Sequence, residues 1–389
     1  MAQLTEEAHP SSERSLTKPA GEPWKEAVLH SFSGSDGQYP ALALVFGSAG
    51  ALYGVTVGGG CSGCTGVVFE LAPPSAAGGT WTDTVMYVFS GSDNAAPNGP
   101  LLIGPGGTLY ATTQGAGGPT GTAAALMPPA TPGAAWTESV LYTFVGSPEG
   151  GSPFAGVVSQ GGSLFGTTLY GGDEFCGAPL GCGVVYELTP PAAPGAAWVE
   201  TTIHAFGETS GDGTQPEDTL AVGPGGVLYG TTYYGGTGVC YISGGILTSG
   251  CGTVFQLTPP SASGAPWTYS VIHNFTGAEG DGAAPVAGVV VGKNGAIYGT
   301  TSSAGSTASD TACPASYGVI AGCGIVFELT PPSSPGGAWT ETALNSFSGQ
   351  DGDGAIPLAR LVLSSTGVLY GTTSAGGTAG RGTVFAIEP

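Results

Sequence analysis

Charged residues are scarce in this chain, and positively charged ones are the scarcest. Only 8% of the 389 residues are charged, Lys and Arg together number 6, and the formal net charge is −21. Because proteins neutralise nucleic-acid phosphates with Lys and Arg, this balance argues against a nucleic-acid partner. It permits divalent cations and neutral ligands.

Long apolar runs and helical periodicity are also missing. No run of about 18 or more apolar residues occurs, so no transmembrane helix is expected. No segment of helical length shows the apolar periodicity of an amphipathic helix. Hydrophobic residues nevertheless make up 41% of the chain, which also contains 73 Gly and 31 Pro. This composition indicates a folded chain with many turns between short elements, and not a disordered polyacid.

An internal repeat accounts for much of the sequence. The stretch LYGTT occurs at 228–232 and 369–373. Near copies occur at 52–56, 109–113, 164–168 and 297–301. Each copy is followed by a Gly-rich loop and a stretch such as GTVFQLTPP (252–260), and all but the last are then followed by a Trp. The six Trp residues are Trp24, Trp81, Trp136, Trp198, Trp267 and Trp339. Repetition with a period of about 55–70 residues indicates that LYGTT serves architecture and not chemistry.

Each repeat predicts four short β-strands. WTESVLYTF (136–144) has the aromatic and β-branched content of a half-buried strand, and the Pro-Pro pairs end the strand before them. The prediction is an all-β fold, a six-bladed β-propeller of four-stranded antiparallel blades in residues 24–389. LYGTT is the second strand of each blade, and its Gly is expected to admit a neighbouring backbone. The Trp residues are expected to pack between blades.

The two ends of the repeat region predict how the propeller closes. WKEAVLHSF (24–32) matches a fourth strand without the three before it, and GTVFAIEP (382–389) is a third strand without a fourth. The N-terminal strand is therefore expected to complete the C-terminal blade, which removes an exposed sheet edge. Residues 1–23 are polar, lack the apolar region of a signal peptide, and predict a flexible tail.

The repeat unit resembles a known family. The order LYGTT, Gly-rich loop, GTVFELTPP-like strand, WTETVLYSF-like strand and DG turn is similar to the GloVer tandem repeat of Gloeobacter and Verrucomicrobia proteins, and it covers residues 24–389. The resemblance implies a secreted or surface bacterial protein. It supplies no activity that can be transferred to this chain.

The eight Cys residues fall in four local pairs between second and third strands. The pairs are Cys61/Cys64, Cys176/Cys182, Cys240/Cys251 and Cys313/Cys323. Because a loop brings antiparallel neighbours together, four local disulfides are expected, and they imply an oxidising compartment. A zinc site would need four converging ligands, and these loops contain no His. A redox CxxC at 61–64 would usually begin a helix, whereas strands flank this one.

An acidic residue stands four positions before Pro in every repeat. A turn capped by the carboxylate explains this pattern, and Asp/Gly sequences such as DGDG (351–354) leave calcium binding as the alternative. The candidate calcium ligands, which are also the only cofactor prediction, are Asp36, Asp93, Glu149, Asp212, Asp281 and Asp353.

The loops between second and third strands vary most, and variable loops on a rigid scaffold commonly carry binding. Their aromatic rings can stack on sugars or contact a protein, unless they only cover their own disulfide hairpins. The candidate ligand-binding residues are Tyr170, Asp173, Glu174, Phe175, Tyr233, Tyr234, Tyr241 and Tyr317.

Nucleophilic catalysis has little support in the sequence. His30, His204 and His273 share one repeat position, which favours packing, and no Ser–His–Asp set is apparent. The prediction is an extracytoplasmic binding or structural module whose partner is carbohydrate or a surface protein. The alternatives are a polysaccharide hydrolase or lyase that uses loop carboxylates, and a self-assembling protein of a surface layer or filament.

Overall fold

The computed structural model describes most of the chain after residue 28. The described residues are 29–40, 43–76, 79–90, 95–115, 120–131, 134–172, 180–193, 196–242, 246–262, 264–278, 280–305, 313, 322–334 and 336–388. Within them the chain is all-β, without an α-helix. The fold is a six-bladed β-propeller of antiparallel blades, as predicted. No helix in these ranges has the length and apolarity needed to cross a bilayer.

Each blade is a sheet in which consecutive strands are neighbours. The first strands are Val45–Phe46, Leu102–Ile103, Val158–Gln160, Ala221–Val222, Val290–Val291 and Val362–Leu363. The second strands are Leu52–Thr56, Leu109–Gly115, Ser163–Thr168, Leu228–Thr232, Ile297–Thr301 and Leu369–Thr373. The third strands are Gly66–Ala72, Gly121–Met127, Val184–Thr189, Thr253–Thr258, Ile325–Thr330 and Thr383–Ile387. The fourth strands are Thr82–Phe89, Thr137–Phe144, Val199–Ala205, Thr268–Asn274 and Thr340–Ser346.

The glycine of LYGTT makes room for an aromatic ring, and not for a neighbouring backbone as the sequence predicted. Gly230 pairs with Phe255 across the second and third strands. A Cβ atom at Gly230 would lie 2.4 Å from the Phe255 ring. The same pairing recurs in four other blades, at Gly54/Phe69, Gly166/Tyr186, Gly299/Phe327 and Gly371/Phe385.

In the second blade, both the glycine and the aromatic residue of this pair are replaced. Its second strand reads LYATT, and Ala111 pairs with Ala124, which stands where the other blades have an aromatic residue. Both alanines are buried. Where the ring is missing, a methyl group takes the place of the glycine hydrogen. The unusual third strand of this blade is therefore a packed variant of the same pair.

Tyr186 is the one aromatic member of this set that carries a hydroxyl, and it is fully buried. Its hydroxyl has no hydrogen-bond partner among the described residues. Since a buried unpaired hydroxyl costs about 1–3 kcal/mol, we expect Tyr186→Phe to raise the free energy of unfolding by about 1–2 kcal/mol. Urea denaturation measures it. A loss of stability would show that the hydroxyl is bonded.

Hydrophobic clusters lie between adjacent blades. Phe206, which follows the fourth strand of the third blade, contacts Phe255 of the fourth blade at 5.2 Å between ring centroids. Trp267 and Trp339 are partly buried and pack on Phe165 and Tyr229 of the preceding blades. Packing of Trp between blades is thereby confirmed for these residues, whereas Trp24 lies outside the described range.

The loops that carry sequence variation lie on the same face as the acidic turns. The connection from each fourth strand pairs with the beginning of the loop after the next second strand. The short ladders are Ala95–Pro97 with Leu109–Gly115, Gly213–Thr214 with Tyr234–Gly235, Gly282–Ala283 with Ser303–Ala304, and Gly354–Ala355 with Ala375–Gly376. A further hairpin, Val239–Ile242 with Ile246–Ser249, extends the loop of the fourth blade.

Three predicted disulfides are present. They join Cys61 to Cys64, Cys240 to Cys251 and Cys313 to Cys323, with Cα atoms 5.0, 5.2 and 5.3 Å apart. Cys182 is also disulfide-bonded, and its predicted partner Cys176 lies outside the described residues. The prediction of local pairing is thus confirmed for three pairs.

The sixth blade contains three strands among the described residues. Val384 of its third strand is 81% exposed, whereas Val185, Val254 and Val326 at the same repeat position are fully buried. Phe32 packs on Phe69 of the first blade at 5.0 Å, in the way that Phe206 packs on Phe255. Residues 24–28 are outside the described range, so completion of this blade by the N-terminal strand remains a prediction.

Candidate functional site

Among the described residues, polar side chains meet at five junctions between neighbouring blades. Four of these, here called junction triads, contain a residue from a fourth strand (in one triad, His30 of the N-terminal segment), the acidic residue of the following turn, and the residue two positions after the Trp of the next blade. The triads are His30/Asp36/Asp83, Tyr142/Glu149/Glu200, His204/Asp212/Tyr269 and His273/Asp281/Glu341. At the junction of the first and second blades, Tyr87 donates a hydrogen bond to Glu138 at 2.7 Å, and Asp93 lies outside the described residues.

Four of the turn acids cap their own turns. In the sixth blade, Asp353 accepts hydrogen bonds from the Ser348 and Gly354 backbone N–H groups at 2.8 and 2.7 Å. Backbone N–H groups are bound in the same way by Asp36, Asp212 and Asp281. This is the turn role that the sequence left beside calcium binding. Whether any of these acids binds calcium stays a prediction.

The charges of two turn acids follow from these contacts. The Ser33 backbone N–H contributes most to lowering the pKa of Asp36, to about 2. Burial acts to raise the pKa of Asp281, but hydrogen bonds from His273 and Thr276 outweigh it and lower the pKa. Both carboxyl groups are thus ionised at neutral pH.

An open cleft of about 460 Å³ lies at the junction of the second and third blades. One wall is the turn containing Glu149, and the other is the fourth strand of the third blade with Thr202 and Ala205. Gly172, at the beginning of the variable loop of the third blade, also lines it. The remaining lining residues are Ser147, Pro148 and Glu208. The Ser147 hydroxyl donates a hydrogen bond to the Gly172 carbonyl at 3.0 Å.

Two carboxyl groups beside this cleft have different environments. Burial raises the pKa of Glu200 to about 7; the Thr202 hydroxyl opposes this shift, and the negative charge of Glu149 adds to it. Glu149 is exposed and accepts a hydrogen bond from the Tyr142 hydroxyl at 2.8 Å. Burial and then this contact raise the pKa of Tyr142. The Glu200 carboxyl group thus stays protonated up to near-neutral pH beside the carboxylate of Glu149.

Three of the predicted ligand-binding residues, Tyr170, Tyr233 and Tyr234, have described side chains. Tyr170 is half-buried and lies two residues before Gly172 of the cleft. Tyr233 is 8% exposed and belongs to the core cluster that includes Cys240 and Cys251. This is the packing role that the sequence left open. Tyr234 contacts Tyr233 edge to face at 4.3 Å. Asp173, Glu174, Phe175 and Tyr317 lie outside the described residues, as does the side chain of Tyr241.

Sequence reasoning missed Glu200, Thr202 and Glu208. A signal for Glu200 was present, because Asp83, Glu138 and Glu341 occupy the same position two residues after Trp. It was overlooked because Asp83, Glu200 and Glu341 each interact with the turn of the preceding repeat and not with that of their own.

The raised pKa of Glu200 predicts a pH-dependent stability. The folded-state pKa of about 7 exceeds the ordinary value of 4.5, so folding favours the protonated form. This stabilisation is complete below about pH 4.5 and is lost as the pH rises through about 7. We therefore expect Glu200→Gln to exceed the wild type in unfolding free energy by about 1 kcal/mol at pH 8, after allowance for solvent screening, and to match it at pH 4.5. An equal difference at both pH values in urea denaturation would contradict the assignment.

The described fold is that of a disulfide-bonded β-propeller with a polar cleft at a blade junction. The profile of the Gloeobacter/Verrucomicrobia repeat matches residues 17–243 and 238–389. The chain therefore belongs to this repeat family, as its sequence resemblance predicted. Comparison with curated proteins found no match for the sequence.

Solved structures similar to this chain have low identity. A Hadza microbial sialidase is 12% identical with a TM-score of 0.43, over 89% of this chain and 64% of that one. The chain thus spans less than two thirds of the sialidase. A luciferin-regenerating enzyme is 12% identical with a TM-score of 0.40, over 91% and 93% of the two chains. A protein from Lactobacillus plantarum is 15% identical with a TM-score of 0.44, over 88% and 83%. Similarity at this level says nothing about the chemistry of the cleft.

Proposed function

We propose that this protein is an extracytoplasmic binding module that takes carbohydrate into the cleft between its second and third blades. The observation that carries the proposal is the open cleft itself, which is bordered by Glu149, Thr202 and Glu208. Carboxylate and hydroxyl oxygens are acceptors suited to the many hydroxyl donors of a sugar. The formal net charge of −21 favours a neutral ligand over an anionic one.

The neighbouring loop adds an apolar surface of the kind that sugars use. Tyr170 is half-buried and lies two residues before Gly172, which lines the cleft. An aromatic face beside convergent acceptors is a usual arrangement for orienting a polar ligand. The disulfides support an oxidising compartment and hence export.

A pull-down against a panel of insoluble and soluble polysaccharides, with and without calcium, tests this proposal. We expect wild type to be retained on a subset of the panel. Glu149→Gln/Glu208→Gln and Tyr170→Ala should each lose most of that retention. The matched controls are Asp351→Asn and Tyr370→Ala, which change exposed residues of the sixth blade. Equal retention of cleft and control variants would contradict binding at the cleft, and calcium dependence would support metal binding by the turn acids.

Glu200 favours a second candidate, a polysaccharide-cleaving enzyme. A carboxyl group with a pKa of about 7 is a suitable general acid when a second carboxylate, here Glu149, lies nearby. Reducing ends released in the same tubes test it, because Glu200→Gln should abolish their release without abolishing retention. If no polysaccharide is retained or cleaved, light scattering without added ligand tests self-assembly.

A further inference from the structure

Three potential metal ligands converge where the N-terminal segment meets the first blade. The His30 Nε2 atom lies 3.0 Å from the Asp36 Oδ2 atom and 4.0 Å from the Asp83 Oδ2 atom. Among the described residues, this is the one group of at least three such side chains whose ligand atoms all lie within 4.8 Å of one another. The side chains are 20%, 21% and 13% exposed, so an ion can enter from solvent.

The surrounding contacts orient two of these side chains. Asp36 accepts hydrogen bonds through Oδ1 from the Ser33 N–H at 2.7 Å and the Ser33 hydroxyl at 2.9 Å, which leaves Oδ2 facing His30. The His30 ring packs edge to face on Phe32, with centroids 4.7 Å apart. Such outer contacts position ligands in known metal sites.

A bound ion would also satisfy a buried oxygen of Asp83. Its Oδ1 atom is buried and has no hydrogen-bond partner among the described residues. An unsatisfied carboxylate oxygen at such a place is costly unless an ion or water meets it. In the equivalent triad of the fourth blade this need does not arise, because Tyr269 stands there and donates to Asp212 at 2.6 Å.

The other junctions serve as comparisons within one molecule. Tyr87 and Tyr142 replace the histidine at two of them. His273, Asp281 and Glu341 also provide one imidazole and two carboxylates, and the Glu341 Oε1 atom is likewise buried without a partner among the described residues, but their ligand atoms do not form such a group. The convergence of one imidazole and two carboxylates is thus a property of this triad and not of the repeat.

We propose that His30, Asp36 and Asp83 bind a divalent transition metal of the zinc class. One nitrogen and two carboxylate ligands suit Zn²⁺ with water at the fourth position. Ca²⁺ takes oxygen ligands and does not use imidazole. The ion connects the N-terminal segment, through His30 and Asp36, to the fourth strand of the first blade, through Asp83. Its role is to hold the N-terminal segment against the first blade.

The test is equilibrium dialysis of the full chain against zinc chloride, followed by metal analysis. We expect one zinc ion per wild-type chain. Asp83→Tyr and His30→Tyr should bind none, and both substitutions copy residues that the molecule already carries at equivalent junctions. His204→Tyr, at the triad that contains Tyr269, is the matched control and should keep the ion. Zinc should raise the unfolding temperature of the wild type and of His204→Tyr alone.

Four results would overturn the site. One is a wild-type chain that binds no zinc, and another is equal zinc binding by wild type and Asp83→Tyr. The third is a millimolar affinity for zinc that the wild type and all variants share, because it would indicate an adventitious ion only. Circular dichroism of each variant without zinc checks folding, and Asp83→Asn replaces Asp83→Tyr if the latter is unfolded. X-ray absorption of the loaded wild type should show one nitrogen among oxygen ligands, and a shell of oxygen alone would also overturn the assignment.

Discussion

Removal of residues 1–32 should cost about 5 kcal/mol of unfolding free energy, whereas removal of residues 1–23 should cost less than about 0.5 kcal/mol. The larger deletion takes away Trp24, Val28 and Phe32, and full burial of each apolar side chain is worth about 1.5–3 kcal/mol. Of these, Phe32 packs on Phe69. Urea denaturation of the two truncated chains measures the difference. Similar stabilities would contradict completion of the sixth blade by the N-terminal strand.

The register of the other blades makes this expectation more specific. Glu328, which follows Phe327 in the third strand of the fifth blade, pairs with Thr342, three residues after its Trp. By the same register, Ala386 should pair with Ala27. Ala27→Cys/Ala386→Cys should therefore form a disulfide on oxidation, because opposed residues in antiparallel strands are within bonding reach. Ala27→Cys/Val384→Cys, two residues out of register, is the control and should form little. A higher disulfide yield in Ala27→Cys/Val384→Cys than in Ala27→Cys/Ala386→Cys would contradict this pairing.

Gly230→Ala should destabilise the protein by about 2–3 kcal/mol, because the added methyl group would lie 2.4 Å from the Phe255 ring. Phe255→Ala alone should cost about 3–5 kcal/mol through the cavity that it leaves. The double variant reproduces the Ala111/Ala124 pair of the second blade, so it should cost about 1–3 kcal/mol less than the sum of the single changes.

Urea denaturation of the four chains completes this double-mutant cycle. Phe46→Ala is the control for loss of an aromatic ring, because Phe46 is 76% exposed and should change stability by less than about 0.5 kcal/mol. Additive effects of Gly230→Ala and Phe255→Ala would contradict the view that the glycine is present because of the ring.

The fold was predictable because the same pattern of strands repeats along the chain. Trp, LYGTT and the Pro-Pro ends mark strands within each repeat, and copies of a sheet that cannot bury both faces alone must pack on one another. The reason given for the glycine was wrong, since a single repeat does not show what opposes it. The sequence does show which residue opposes the glycine when repeats are compared. Gly230 occurs with Phe255, and where Ala111 replaces the glycine, Ala124 replaces the aromatic residue.

The candidate site was predictable only in part. Glu149 and Tyr170 were singled out from turn and loop patterns, and they lie in or beside the cleft. Glu200 was missed because it belongs to one repeat and acts on the turn of another. Its pKa depends on burial between blades, which is a property of packing and is not encoded in any local motif. The sequence therefore predicted which face of the propeller carries the candidate site, but not that the site lies at the junction of the second and third blades.

Hydrogen–deuterium exchange with and without a mixture of oligosaccharides from the polysaccharide panel tests the central claim most directly. If the cleft binds carbohydrate, exchange should slow in residues 145–152 and 199–208, which border it. The equivalent turn and fourth strand at the junction of the fourth and fifth blades should exchange at the same rate with and without sugar. Protection confined to other blades, or unchanged exchange throughout the chain, would contradict carbohydrate binding at the cleft.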